Sequence, residues 1–156
     1  MIKRALVTST LVLALAQPAS AETLFRGIFQ FTAVNSSCTD GPHVGDNVNG
    51  RFHPRDVAGN RTFTALNVIW PFGGESWELD AGSFTSAYVQ VTNYTLSWNA
   101  FTPDKPSFLL VSQQSPATLT ATTPDVSLLG KIKNPWGEIG QENCIGTFRF
   151  TGVREL

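Results

Sequence analysis

The sequence predicts an all-β domain, either an antiparallel up-and-down barrel of about eight strands or a two-sheet β-sandwich. Apolar residues alternate with polar ones at a period of two, and no apolar stripe of helical period persists for three turns. Clusters of glycine, proline, asparagine and aspartate separate the alternating runs, as turns do between strands. With 156 residues, 42% hydrophobic and 15% charged, the composition is typical of one globular domain.

The first 21 residues have the pattern of a secretory signal peptide. Lys3 and Arg4 supply the positive start, residues 5–16 form an apolar core, and residues 19–21 read Ala-Ser-Ala, an A-x-A cleavage site. The apolar core is shorter than the roughly 20 residues that a membrane-spanning helix requires. We therefore expect a bacterial export signal at 1–21, followed by a single β domain at 22–156 in the periplasm or the medium.

The first and last strands are predicted from one shared pattern. Residues 27–34 and residues 146–153 both read G-x-F-x-F-T-x-V. In the first of these strands, Phe29 and Phe31 alternate with Ile28, Gln30 and Thr32, which suggests that the odd-numbered side chains lie on the inner face. We interpret the duplication as a geometry that two strands share rather than as an internal repeat.

The remaining strands are predicted between the turn-forming clusters. A loop over residues 35–46 follows the first strand, and a turn at 57–60 reverses the chain in a hairpin. The alternating runs then predict strands at 48–54, 62–70, 76–79, 83–91, 94–101, 107–112, 117–122, 126–131 and 144–153.

Cys38 and Cys144 are the only cysteines, and they are predicted to form one disulfide. An exported chain enters an oxidising compartment, where paired cysteines are the usual state. The alternative is that both bind a metal, but neither has a second cysteine or a histidine at C-x-x-C spacing. We therefore predict no metal and no cofactor.

This disulfide constrains how the first and last strands pair. Parallel strands in matching register would hold the cysteines far apart, so the two strands are predicted to be adjacent and antiparallel, as in a barrel with an even number of strands. Pairing Cys38 directly opposite Cys144 would place the two phenylalanine rows on opposite faces. A slip of one residue corrects this, and it predicts Phe31 opposite Phe150 with Cys38 just beyond the ladder or beyond a bulge.

Two aromatic segments are the clearest sequence indication of a contact surface. They cover residues 70–77 and 134–138, where large aromatic side chains stand beside proline or glycine. Such residues are expected at loop ends, where they could contact a small ligand, a glycan or a protein partner, or could close the end of the core. The candidate contact residues are Trp70, Phe72, Trp77 and Trp136.

Any chemistry that uses histidine depends on His43 or His53, because the chain has no other histidine. His43 lies between Asp40 and Asp46, a group that could bind a cation or act as an acid–base pair. The same aspartates are common turn formers, and no spaced metal or catalytic motif supports the chemical interpretation. The carboxylates that could complete a hydrolase site are Glu75, Glu78, Asp80, Glu138 and Glu142.

Charge and missing motifs narrow the class of function. With 11 basic and 12 acidic residues, the chain has no field that would attract nucleic acid. Residues 83–90 are polar on both faces, which argues against lipid-facing strands. No nucleophile elbow, phosphate loop or dinucleotide fingerprint occurs. The sequence predicts an exported, monomeric, non-catalytic module that binds a small apolar ligand or a protein partner through its aromatic loop end. The alternatives are a carbohydrate-binding module or a small secreted hydrolase that uses His43 or His53.

Overall fold

A computed structural model shows a closed barrel of eight antiparallel strands, which confirms the predicted all-β barrel. The structure describes residues 23–39, 42–55, 62–71, 73–95 and 105–155. The strands follow one another around the barrel in chain order, and the last pairs with the first. They are β1 (Phe25–Val34), β2 (Asn47–His53), β3 (Thr64–Trp70), β4 (Gly73–Leu79), β5 (Val89–Thr95), β6 (Ser107–Ser115), β7 (Asp125–Lys133) and β8 (Ile145–Arg154).

In the described part of the region where alternation predicts two strands, residues 83–95, one strand forms, β5. Residues 83–88, predicted to begin a strand, form an irregular segment instead. Part of its backbone hydrogen bonding is made within the segment, because the Ala87 N–H donates to the Thr85 hydroxyl over 3.3 Å. The predicted break between strands at 92–93 is wrong, since these residues lie inside β5. Residues 96–101 lie outside the described residues, as do the predicted signal peptide and the turn at 57–60.

The strand predicted at 117–122 is also wrong, and the segment forms a turn. The Thr120 N–H donates to the hydroxyl of Thr123 over 2.8 Å, and the Thr123 N–H donates back to the Thr120 carbonyl over 3.1 Å. Threonine side chains therefore take hydrogen bonds that a neighbouring strand would otherwise take. The alternation of apolar and polar residues does not show that side-chain hydroxyls compete with strand pairing in this segment.

The pairing of β1 with β8 closes the barrel and confirms that the first and last strands are adjacent and antiparallel. Phe31 lies opposite Phe148, and Phe29 lies opposite Phe150. The predicted pair of Phe31 with Phe150 is therefore wrong by two residues. A displacement of two residues keeps every side chain on its own face, so both phenylalanine rows still point into one core.

A bulge and a turn connect this ladder to the disulfide. The β1–β8 register shifts between Phe31 and Ala33. After β1 the chain turns back, with the Cys38 N–H donating to the Asn35 carbonyl over 3.2 Å. This turn brings Cys38 to Cys144, with their Cα atoms 4.5 Å apart and their Sγ atoms bonded. The disulfide thus lies just beyond the ladder, after a bulge, as predicted.

The phenylalanine rings fill the barrel by lying over glycines. A Cβ atom at Gly146 would lie 2.5 Å from a ring carbon of Phe31, and one at Gly50 would lie 2.9 Å from a ring carbon of Phe150. Gly130 lies under Phe148 in the same way, with a ring carbon 2.6 Å from the Cβ position. Any larger residue would overlap the ring, so glycine gives each ring room to lie against the sheet.

The core that results is largely aromatic. Phe29 stacks on Phe148 with ring centroids 5.2 Å apart and meets the edge of Phe31 at 4.9 Å. Each fully buried side chain of this size contributes about 1.5–3 kcal/mol by leaving water. The largest fully buried apolar side chains are Trp77, Phe25, Phe29, Phe148, Phe150, Leu66, Leu109, Leu128, Ile132, Val68 and Val126.

Removing the disulfide should lower stability strongly. The bond joins residues 106 positions apart, and the chain-entropy model assigns a loop of this length about 4–5 kcal/mol. We expect the double substitution Cys38→Ser with Cys144→Ser to lower the free energy of unfolding by about this amount in urea titrations. Ser36→Ala, in the same turn, is the control. A loss below about 1 kcal/mol for the double variant would contradict the prediction.

Adding one methyl group under a phenylalanine ring should also destabilise the barrel. Gly146→Ala forces its new Cβ against Phe31, and overpacking of this kind costs about 1–3 kcal/mol. Thr151→Ala, on the exposed face of β8, is the matched control and should change the free energy of unfolding by about 0.5 kcal/mol or less. If urea unfolding shows that both variants change the free energy of unfolding equally, then the packing of the Phe31 ring does not depend on glycine at position 146.

Candidate functional site

The two ends of the barrel differ in how they are closed. One end carries the β1–β2 and β7–β8 loops together with the disulfide. We call it the plugged end. The other end carries the β4–β5 and β6–β7 loops and the residues that follow β2. We call it the mouth. The tryptophans described by the structure lie toward the plugged end, and the pocket lies at the mouth.

The β7–β8 loop, residues 134–144, is fastened into the barrel by buried hydrogen bonds. The Pro135 carbonyl accepts from Trp77 Nε1 over 2.9 Å and from Asn93 Nδ2 over 3.0 Å. The Asn134 carbonyl accepts from the Ser107 hydroxyl over 2.7 Å. All three donors belong to buried residues of the strands. Because hydrogen bonds are stronger in such a low-dielectric interior, they hold the loop across the plugged end.

Three tryptophans pack around this loop. The ring centroid of Trp136 lies 5.7 Å from that of Trp70, 6.4 Å from that of Trp77 and 6.1 Å from that of Phe31. Trp77 is fully buried, whereas Trp70 and Trp136 are half-buried against the core. The cluster supports the interpretation in which these side chains close the end of the core.

One of the predicted contact residues, Trp77, is internal. Trp77 has 0% exposure and lies in the middle of β4 opposite Leu66, so a partner cannot reach it without opening the barrel. Gly73 and Gly74 begin β4 and the residues after them continue the strand, which is why the glycine signal is misleading here. Trp70 and Trp136 present part of their surface. Phe72 lies outside the described residues.

The two histidines lie toward opposite ends of the barrel and do not share a site. His43 is exposed in the β1–β2 loop with Asp46, whereas Asp40 lies outside the described residues. His53 ends β2 on the outer face, near the mouth. Glu75 faces the interior from β4, and Glu78 faces outward. Within the described ranges, no group of three or more His, Cys, Asp or Glu side chains could hold a metal ion.

His53 belongs to a chain of polar side chains across β2, β3 and β4. Its Nε2 lies 3.4 Å from Asn67 Nδ2, and the Asn67 Oδ1 accepts from the Ser76 hydroxyl over 2.7 Å. The Ser76 hydroxyl also lies 3.1 Å from Glu78 Oε1. Asn67 thus separates the serine from the imidazole. In this network the Ser76 hydroxyl bonds to Asn67 rather than to the imidazole, whereas covalent hydrolases depend on direct contact between nucleophile and base.

The charge state of His53 follows from its surroundings. Burial lowers the pKa of its imidazole below the ordinary value of 6.5, and the positive charge of Arg51 lowers it further. Glu78 and Glu155 raise this pKa, but with a smaller effect. The neutral ring can accept at Nε2 from the Asn67 amide, which an imidazolium cannot do.

A pocket of about 840 Å³ opens at the mouth. Its apolar surface comes mainly from Phe52, Phe84, Val111 and Leu119, and the rings of Phe52 and Phe84 stack with centroids 6.4 Å apart. The volume lies within the range of about 300–1,000 Å³ that small-molecule pockets occupy. The remaining lining is mostly hydroxyl-bearing: Thr23, Thr64, Ser83, Thr85, Ser86, Thr118 and Thr120.

No single segment of the sequence marks this pocket. Its walls come from segments that are distant in the chain, chiefly 52–55, 83–86 and 117–121. Two of these segments are the ones that alternation wrongly predicts as strands. Their high content of serine and threonine, which compete with strand pairing, is the signal that could have marked them as loops.

Comparison with family models, with curated proteins and with solved structures gave no match for this chain. Within the described residues, no helix is long and apolar enough to cross a membrane.

The stability of the protein should decrease as His53 becomes protonated. Because the pKa of His53 is lower in the folded state than in the unfolded state, the unfolded chain binds the proton more readily. The stabilisation from the neutral ring is therefore complete above about pH 6.5 and is lost as the pH falls through the folded-state pKa. Urea titrations between about pH 8 and pH 5 should show this loss in the wild type.

Substitution of each histidine separates this effect from other titrations. His53→Gln should remove part of the decrease in stability at low pH, because glutamine does not take up a proton in this range. His43→Gln, in the exposed loop, should follow the wild-type curve. If the His53→Gln and wild-type curves stay parallel, His53 does not titrate with a lowered pKa.

Proposed function

We propose that the protein binds a small, predominantly apolar ligand in the pocket at the barrel mouth and does not transform it chemically. The observation that carries the proposal is the pocket itself, which combines a suitable volume with a lining that includes the stacked rings of Phe52 and Phe84, here called the floor. A pocket with an apolar floor and a few polar groups at its rim is the usual form of a small-molecule site.

The energetics of such a site are favourable. Apolar surface removed from water contributes about 25 cal/mol per Å², and the stacked pair of Phe52 and Phe84 already presents an ordered apolar surface. Phe52 is anchored in β2 and is 3% exposed, so binding does not have to order it. A preformed floor reduces the entropy that binding costs, which favours useful affinity for a small ligand.

The other predicted functions have less structural support. Docking of a protein or a glycan through the aromatic end would rely on Trp70 and Trp136, which are half-buried, and on Trp77, which is inside the core. Hydrolysis would require a base in contact with a nucleophile, whereas Asn67 lies between His53 and Ser76. The binding proposal needs only the pocket that the described residues form.

We further propose that the protein acts outside the cytoplasm, in the periplasm or in the medium. The disulfide between Cys38 and Cys144 is compatible with an oxidising compartment. The export signal predicted at residues 1–21 is consistent with the same location. A ligand of this protein would accordingly be one that is present outside the cytoplasm.

Filling the pocket should abolish binding. We expect the purified protein to increase the fluorescence of Nile red, a neutral apolar dye, and decanol to displace the dye. Ala121→Trp places a large ring on the pocket lining and should weaken binding of both compounds by about tenfold or more. Ala87→Trp, on an exposed residue of the β4–β5 loop outside the lining, is the matched control and should bind like the wild type.

Two measurements test binding at the mouth: dye binding by the two tryptophan variants, and the stability of the wild type with and without ligand. Ligand at about ten times its dissociation constant should also stabilise the wild type by about 1.4 kcal/mol. Absence of dye binding, or equal weakening by both tryptophan substitutions, would refute binding at the mouth.

A further inference from the structure

We infer that the ligand of the mouth pocket is an aliphatic monoanion, with an apolar chain that contacts the phenylalanine floor and an anionic head that pairs with Arg55. This inference rests on the proposed binding function and specifies the chemical class of the ligand. It follows from the charge of the pocket lining, from the donors that the lining has available, and from the position of Arg55 beside the floor.

Among the described residues, Arg55 is the only charged residue that lines the pocket. The other described residues of the lining are apolar, hydroxyl-bearing or, in Gln114, a neutral amide. This described part of the lining thus has one positive charge and no negative charge. In a site with low-dielectric walls, a charge of one sign favours ligands of the opposite sign, and it disfavours cations.

Several neutral donors of the lining already serve the loops. The Thr64 hydroxyl donates to the Gly82 carbonyl over 2.7 Å, and the Thr85 hydroxyl donates to the Ala87 carbonyl over 3.2 Å. The Gln114 amide donates to two carbonyls of the β6–β7 loop, at 3.2 and 3.1 Å. These groups hold the shape of the mouth, which leaves the guanidinium of Arg55 as the strongest donor for a ligand.

Arg55 is free to bind an anion. Within the described residues the ion pair that forms is between Arg26 and Glu155, with 2.7 Å between Nη2 and Oε1, and Arg55 has no carboxylate partner there. Its guanidinium offers five N–H donors in a planar fork that matches a carboxylate or a sulfate. A ligand oxygen would therefore not have to displace any acid of the described residues in order to pair with Arg55.

Arg55 also lies close in the chain to Phe52 of the pocket floor. It follows Pro54 immediately after β2, and Phe52 of β2 forms part of the floor of the same pocket. Arg51, the nearest arginine, is on the outer face of β2, because it has the opposite parity to the inward-facing Phe52. A single ligand can therefore contact the floor with its chain and reach Arg55, but not Arg51, with its head.

Three probes of equal chain length test the inference on the purified protein. They are decanoate, decanol and decyltrimethylammonium, which carry a negative, a neutral and a positive head, and each is titrated by displacement of Nile red. In the wild type, decanoate should bind about fivefold more tightly than decanol, and decyltrimethylammonium should bind most weakly. Raising the sodium chloride concentration should weaken the binding of decanoate but not that of decanol.

Two arginine variants assign the effect to one side chain. Arg55→Gln should reduce the affinity for decanoate to that for decanol and leave decanol binding unchanged. Arg51→Gln, on the outer face of the same strand, should keep the wild-type preference. Because Arg55 is exposed and its loss should not disturb folding, equal unfolding midpoints of the two variants confirm a fair comparison. The comparison of probes on the wild type requires no variant at all.

The possible failures are distinguishable. If decanol and decanoate bind equally to the wild type, or if Arg55→Gln keeps the preference, the inference about the anionic head is wrong and the apolar pocket stands. If decyltrimethylammonium binds most tightly, the head group is cationic and the inference is likewise wrong. If none of the three probes displaces the dye, the proposed function fails and the inference fails with it.

Discussion

The antiparallel pairing of β1 with β8 is the constraint on which the rest of the structure depends. It closes the barrel, so neither strand is left as an exposed edge. It also brings both phenylalanine rows into one interior, where Phe31 lies over Gly146 of the partner strand. The disulfide then lies at the end of this ladder, so a covalent bond and a strand pairing restrain the same two segments.

Filling one end of the barrel determines where a ligand can bind. The large rings of Phe29, Phe148 and Trp77 pack together in the core, and the β7–β8 loop covers them at the plugged end. At the mouth the chain uses smaller and more polar residues in its loops, and Phe84, which packs against the core, forms part of the pocket lining. The aromatic residues that appear suited to binding thus stabilise the barrel, and less conspicuous residues form the pocket.

Hydrogen bonding inside the loops explains why the pocket is hard to predict. Threonine hydroxyls at Thr85 and Thr120 bond to their own segments, so neither segment pairs as the alternation of its residues predicts. The period of a strand is visible in a sequence, but the choice of partner for each hydrogen bond is not. Tryptophan beside glycine or proline is equally ambiguous, because such a residue can lie in a loop, like Trp136, or at the end of a strand, like Trp70.

The sequence by itself determined the all-β class, the adjacency of the first and last strands, the disulfide and the faces of the phenylalanine rows. These properties depend on alternation and on one covalent distance limit, both of which are local or pairwise. Only the tertiary structure decided the two-residue register, the burial of Trp77 and the gathering of Phe52, Phe84 and Arg55 around one pocket. These depend on how rings fit over glycines and on how distant loops meet, because packing involves many residues at once.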